Sequence, residues 1–470
     1  MDIPLRDVAR ACAGMLFVLL AHITFVQAFS SRDLNADARN ERGRIARFDR
    51  PRGAVFTFDG TTVAESRETG GGPYRYRRFY PQGEMYAPIT GHGSPRQATG
   101  IERAQEAELS GHDAKVKMQS LVREGVERGA DIRLTVSEHV QWAAYQSLKS
   151  AGRPGAAVAI DPSTGAVLAL ASYPSYDPNV YTTFDTAGQA AADRRLRGDP
   201  ARPLRNRALD ETYPAGSAFT LVTAAASLGH GLLSDQADAF GFNATDLTIP
   251  LPVTASTYRA SPLPTGMDPA SPPPAGTHRA SPPAPGTHRA SPLPTGTDPA
   301  NPPPAGTHRA SPPSAGASPV SPLPAGAHPA SPAGPGAVPA AGHPDGRLTP
   351  LMAAMLSAAV ANRGTLMRPY LVEEVRLPDG SVIDRAGPAP YRAALSPGLA
   401  ARLTTMMVTR PHGVGTAVTI PGVKLAAAGD PAVFTAFAPA RAPEVAVAVI
   451  LERPGPTALI ARAIIQAALS

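Results

Sequence analysis

Cysteine and lysine are scarce. One cysteine, Cys12, stands in 470 residues. The chain can therefore form no internal disulfide and no thiolate metal cluster. Only Lys115, Lys117, Lys149 and Lys424 stand against 40 arginines, the rest of the 44 basic residues. With so much Ala, Pro and Gly, that imbalance reflects a GC-rich coding bias. The net charge of +6 follows from the arginine excess and is too diffuse to define an acidic partner. What is abundant is proline, 53 residues, and glycine, 43, and both are unevenly placed. The length allows two or three domains and a full core.

Residues Ala11–Phe29 form a 19-residue, largely apolar run between Arg6 and Arg10 on one side and Arg32 on the other. That length just spans a bilayer as a helix. His22, Thr24 and Gln27 weaken it. Two readings compete, an uncleaved signal anchor and a signal peptide processed at Val26-Gln27-Ala28. The anchor, over residues 1–30, is the expectation. It implies a single-pass protein of the cell membrane, in contact with the cytoplasmic membrane through residues 11–29, with the bulk of the chain extracytoplasmic. Basic residues on both flanks leave orientation undecided by charge.

Beyond the run, Arg52–Gly60 alternates and then turns, as a hairpin does. Tyr74–Tyr80 interleaves aromatic and basic residues. We read it as a strand with one packed aromatic face and arginines on the wet face, not as a nucleic-acid stripe. Arg42, Arg44, Arg47, Arg50 and Arg52 form a basic cluster, read as a solvated face rather than a contact for anionic lipid or wall polymer. Ala156–Ser172 reads as two buried strands joined by the turn Asp161-Pro162-Ser163-Thr164-Gly165. Val433–Ala438 and Glu444–Leu451 read as two more strands, and Thr457–Leu469 as a terminal helix. Strands at both ends of a long segment, with helices between, predict an antiparallel sheet covered by helices in an α+β fold.

Between Arg259 and Val338 a decapeptide repeats eight times, with proline at 262 and every tenth residue to 332 and glycine at 266 and every tenth to 336. Proline removes donors and there is little bulky apolar surface to bury. A disordered, polyproline-II-biased insert is expected. His278, His288 and His308 recur in it, but such spacing in a flexible chain preforms no metal site. No cofactor, metal or nucleic acid is called for.

The residues that carry chemistry lie at 211–228, Glu-Thr-Tyr-Pro-Ala-Gly-Ser-Ala-Phe-Thr-Leu-Val-Thr-Ala-Ala-Ala-Ser-Leu. Ser217 sits where a helix should begin and Thr220 one turn on. The segment resembles the active-site helix of penicillin-binding transpeptidases, whose nucleophilic Ser precedes a Lys by three residues. Tyr86-Ala87-Pro88-Ile89-Thr90-Gly91, Gly100-Ile101-Glu102-Arg103, Asp161–Gly165, Asn206-Arg207-Ala208-Leu209, Ala361-Asn362-Arg363-Gly364 and Met367-Arg368-Pro369-Tyr370 extend the likeness. The chain resembles an actinobacterial-type class B penicillin-binding protein, a peptidoglycan D,D-transpeptidase. The resemblance implies a β-rich pedestal domain over 40–150 and a transpeptidase-like domain over 154–470, interrupted by the repeat insert at 257–345.

It also implies three catalytic elements, and each is damaged. The Lys of Ser-x-x-Lys is Thr220, whose hydroxyl is no base near neutral pH. The family's Ser-x-Asn stretch is deleted, because Leu228–Ser234 runs almost directly into Phe240-Gly241-Phe242-Asn243. Where Lys-Thr-Gly belongs, the chain gives Ala428-Gly429-Asp430; Lys424 falls too early, and Asp430 would repel a substrate carboxylate. Ser217 remains the candidate nucleophile, with a plain helix-capping serine as the competing reading. His230 and His412 could in principle replace the base, but spacing singles out neither. The expectation is a catalytically impaired homologue acting as a scaffold or regulator on cell-wall synthesis or division proteins. The alternatives are a residually active acyl-transferase that takes peptidoglycan stem peptides or β-lactams on Ser217, and a decaying gene product.

Overall fold

The structure is a computed structural model. It describes residues 3–25, 48–71, 74–95, 97–113, 115–116, 128–259, 346–409, 426–429 and 432–470. The chain divides into two units, 1–261 with 338–470, and 262–337. The second unit lies outside the described residues, as does the expected disordered insert from 260 to 345; its first residues, 257–259, are described, and Thr257–Tyr258 form a strand rather than disordered chain.

Ile3–Phe25 form a 23-residue helix whose described apolar side chains, Met15, Phe17 and Val18 among them, are exposed. Among the described residues no helix is long and apolar enough to cross a membrane. The expected anchor over 11–29 runs into residues 26–29, outside the described set.

The central sheet has five antiparallel strands in the order Ala426–Gly429, Val433–Ala438, Val445–Leu451, Gly155–Ile160 and Val167–Tyr173. The strands Gly155–Ile160, Val433–Ala438 and Val445–Leu451 are buried at every residue, as strands covered on both faces must be. The helix Pro350–Ala361 packs across all three, while Glu138–Ala151 and Thr457–Ala468 pack on each other and on the sheet. Pro350–Ala361 is apolar all round and buried from Pro350 to Val360, a core helix. Thr349 begins it, its hydroxyl accepting from the Met352 N–H at 3.2 Å, with Pro350 in the first turn.

A second sheet of six strands begins with the predicted hairpin, Val55–Phe56 antiparallel to Thr62–Glu68. Tyr76–Phe79 lies beyond, and Asp131–Leu134 runs parallel to Val55–Phe56. Two strands from far along the chain, Val372–Arg376 and Val382–Arg385, complete it. The pedestal region and the C-terminal half thus share one hydrogen-bonded sheet.

Two expectations are overturned here: Arg52, read as part of a solvated basic face, has a side chain only 11% exposed, and Arg78, assigned to the wet face, is 2% exposed. It is buried because Glu102, fully buried on Gly100–Ala104, accepts from its Nε, and Gly53 O accepts from its Nη1 at 2.7 Å. Arg52 closes the cluster, reaching Glu102 at 2.9 Å and Glu106 at 3.0 Å. Burial pushes the Glu102 carboxyl up, but Arg78 and Arg52 outweigh it and hold the group below its ordinary range. Gly53 must be glycine, since a Cβ would sit 1.8 Å from Ala130 O.

His92 marks the boundary between the pedestal loop and residues 173–182. Its ring stacks on Tyr181 at 4.2 Å, and its Nδ1 lies 3.1 Å from the Tyr176 hydroxyl. Burial lowers its pKa from 6.5 to about 4, with Glu102 and Asp193 opposing. The unfolded chain therefore binds more protons between those values. The stabilisation from neutral His92 is complete above pH 6.5 and is lost as the pH falls toward 4. Its full size is about 3 kcal/mol. A urea-unfolding series from pH 7 to 4 should show stability falling through this window in the wild type. His92→Gln should flatten that slope.

Candidate active site

The nucleophile segment is held by three short strands. Tyr213–Pro214 pairs with Gly346–Leu348, which pairs on its other edge with Thr257–Tyr258. The Ala215 N–H extends the first pairing to Gly346 O at 2.9 Å. Gly216 then takes φ +52, a left-handed value that favours glycine, and opens a 3₁₀ turn over Gly216–Phe219. Ser217 is the second residue of that turn. Thr220 starts the helix Thr220–Gly229, so the one-turn spacing read from the sequence is present. Thr220 is half-buried, and its carbonyl accepts from Thr223 Oγ1 at 3.1 Å.

The Ser217 turn packs against the central sheet at Ala426–Gly429 and Val433–Ala438. Ala428 and Gly429, expected to stand in place of Lys-Thr-Gly, therefore lie on the edge strand beside it, in register with Thr435 and Phe434. Asp430, Lys424 and His412 lie outside the described residues. The structure brings together Ser217, Thr220 and the Ala428-Gly429 strand.

His230 does not join them. It ends the helix in a left-handed conformation, φ +53, at the far terminus from Thr220. Ten residues at 1.5 Å rise put it roughly 15 Å along the axis, too far to take the Ser217 proton. Tyr213 is no substitute either. Burial, and then Glu211 beside it, push its hydroxyl well above the ordinary phenol range, and it donates to Glu211 at 2.9 Å.

The connection after the helix Thr220–Gly229 is short. Only His230, Gly231 and Leu232 separate the nucleophile helix from Leu233–Ala239, and those helices pack on each other. Leu221, Val222 and Ala224–Ala226 stay buried, and Leu232 alone is left 69% exposed. Asn243 braces the junction: it accepts from the Tyr258 N–H at 3.1 Å and donates to Asp238 at 3.0 Å. Behind Ser217 the buried Phe219 ring stacks on Tyr258 at 5.2 Å and meets Phe242 edge-on at 5.4 Å.

Sequence reasoning missed the charged clamp that positions this segment. Glu211 accepts from Arg202 at 2.7 Å and lies 3.4 Å from Arg205. Arg207, 1% exposed, reaches Glu452 at 2.8 Å and donates to Ala201 O at 2.7 Å and Arg202 O at 3.2 Å. Glu452 directly follows the strand Val445–Leu451, so the approach to Ser217 is tied to the end of the central sheet. The only sequence signal was the Asn206-Arg207 resemblance, which gives no partner. Replacing Arg207 by Ala would leave Glu452 only the longer Arg202 contact at 3.4 Å and two carbonyls without their donor, and should cost about 1–3 kcal/mol. A fall in the urea midpoint with an unchanged slope would register it.

Two family models match the chain. Residues 52–131 match the penicillin binding protein A dimerisation domain, and residues 155–243 the penicillin binding protein transpeptidase domain. The peptidoglycan D,D-transpeptidase PbpA of Mycolicibacterium smegmatis is 36% identical over 480 residues, covering 97% of this chain and 94% of that one. Its Mycobacterium tuberculosis counterpart is 34% identical over 500 residues, covering 100% and 99%. Penicillin-binding protein A from M. tuberculosis, solved as an imipenem acyl-enzyme complex, superposes with a TM-score of 0.70 at 28% identity, covering 91% of this chain and 100% of that one. With its pedestal, its five-stranded sheet and its serine turn in place, this chain belongs to the penicillin-binding protein A family of peptidoglycan D,D-transpeptidases.

Proposed function

We propose that this chain is a catalytically impaired family member that works in cell-wall synthesis at the outer face of the cell membrane, as a scaffold or regulator of wall-synthesis and division proteins. The observation that carries the reading is Thr220 at the position one turn from Ser217. A serine hydroxyl needs a partner that takes its proton, and general-base catalysis is worth about 10²–10⁴-fold. The neighbouring edge strand offers alanine and glycine where a cation would hold a substrate carboxylate. The membrane location rests on the apolar N-terminal run and the family's architecture.

One observation favours a second reading, residual acylation of Ser217. The Gly216–Phe219 turn and the helix behind it are retained, and backbone N–H groups at such a start can serve an oxyanion. That reading makes the substrate a peptidoglycan stem peptide or a β-lactam.

One experiment separates them. The full chain in detergent, shown folded by circular dichroism, is incubated with a fluorescent penicillin and its intact mass measured beside Ser217→Ala. We expect no stoichiometric adduct in either. An adduct on the wild type that Ser217→Ala loses would overturn the impaired reading. Thr220→Lys alone should also stay unlabelled, since the other two elements are missing as well. For the scaffold role, affinity capture from the native host should recover wall-synthesis or division proteins, and capture that recovers none sinks it.

A further inference from the structure

A cavity of about 630 Å³ lies between the pedestal loop and the segment that leads to Ser217. This is within the range of about 300–1,000 Å³ typical of small-molecule sites. Thr99 and Arg103 line the pedestal side; Ser175, Arg205 and Asp210 line the other, over a floor that includes Leu209. Thr220 is not among its described lining residues, and on the segment that leads to Ser217 the lining ends at Asp210, seven residues before it. We treat the cavity as separate from the candidate active site.

Its polar groups are poorly matched within the protein. The Arg103 guanidinium has no ion-pair partner among the described residues, and Arg205 reaches Glu211 only at 3.4 Å. The Ser175 Oγ, shielded from solvent, has no hydrogen-bond partner. A buried hydroxyl of this kind is normally paired. A single χ1 step changes where it points. Asp210 adds the opposite charge. Desolvation raises its pKa, Glu211 adds to the rise, and the Asn206 N–H and Arg205 oppose it.

Two guanidinium groups, one carboxyl and a spare hydroxyl over apolar walls select a ligand with both an anionic end and hydrogen-bond donors. A phosphate would bring two negative charges to Asp210 and nothing for the leucine floor. A peptide end brings one carboxylate for the guanidinium pair, N–H groups for Asp210 and Ser175, and small side chains for the floor. We propose that this cavity binds the carboxylate-bearing end of a short peptide. Arg103 and Arg205 receive the carboxylate, and Asp210 and Ser175 meet the backbone. The site is independent of whether Ser217 acylates. Leu209 O accepts from the Thr254 N–H and Ala208 O from the Leu351 N–H, so the cavity floor is tied to the turn segment that leads to Tyr213.

The test is calorimetric titration of the full chain in detergent with diacetyl-L-Lys-D-Ala-D-Ala and with its C-terminal amide. The free acid should bind at one site, and the amide about tenfold more weakly. Arg103→Gln and Arg205→Gln should each weaken the acid about tenfold, while Ser217→Ala binds it as the wild type does. Arg103 is exposed and unpaired, so its substitution should leave the circular dichroism spectrum unchanged. Ser175→Ala should weaken binding without lowering Tm, because its hydroxyl has no partner to lose. No binding, equal binding of acid and amide, or binding lost in Ser217→Ala but kept in both arginine variants would each overturn the proposal. The last outcome would place the peptide at the nucleophile turn.

Discussion

The structure turns on Gly346–Leu348, a strand of three residues paired on both edges. One edge holds Tyr213–Pro214 and, through Ala215, the turn that presents Ser217. The other edge holds Thr257–Tyr258, where the chain departs into the repeat. A single strand thus seals the insertion point and fixes the candidate nucleophile. The two ends of the excursion are adjacent, Tyr258 opposite Gly346, and the entropy of closing a loop grows only as the logarithm of its length. Gly346 is small for the same reason, since a Cβ there would crowd the Phe219 ring at 3.3 Å.

The same economy holds around the helix Thr220–Gly229. The nucleophile helix retains its buried face because Leu233–Ala239 follows after three residues and packs against it. Phe219, Phe242 and Tyr258 fill the space behind the serine turn with aromatic contact. Thr220 begins a helix whose apolar residues stay buried, and Ala428 holds a ladder position opposite Thr435.

The central sheet was legible because its strands announce themselves. Continuous apolar runs at Val433–Ala438 and Val445–Leu451, and the Asp161–Gly165 turn, leave little choice. Ser217 and Thr220 were legible because a helix fixes what lies one turn away. The buried arginines were not. Local alternation said that Arg78 should face water, and nothing nearby revealed that Glu102 would meet it from 24 residues away. Arg207 and Glu452 are 245 residues apart, and only the folded chain pairs them. His230 was undecidable for the opposite reason: its place at the far end of a helix depends on where the shortened loop begins.

The six-stranded sheet carries a consequence for how this molecule can be divided. Asp131–Leu134 is flanked on one side by Val55–Phe56 and on the other by Val372–Arg376, which the chain supplies only after the repeat. A fragment ending near residue 150 would keep the pedestal but lose that neighbour. The row of donors and acceptors thus uncovered would be an open template for another chain. Severed from its C-terminal half, the pedestal would be a nucleus for aggregation or strand exchange, even though family boundaries mark it as a domain of its own.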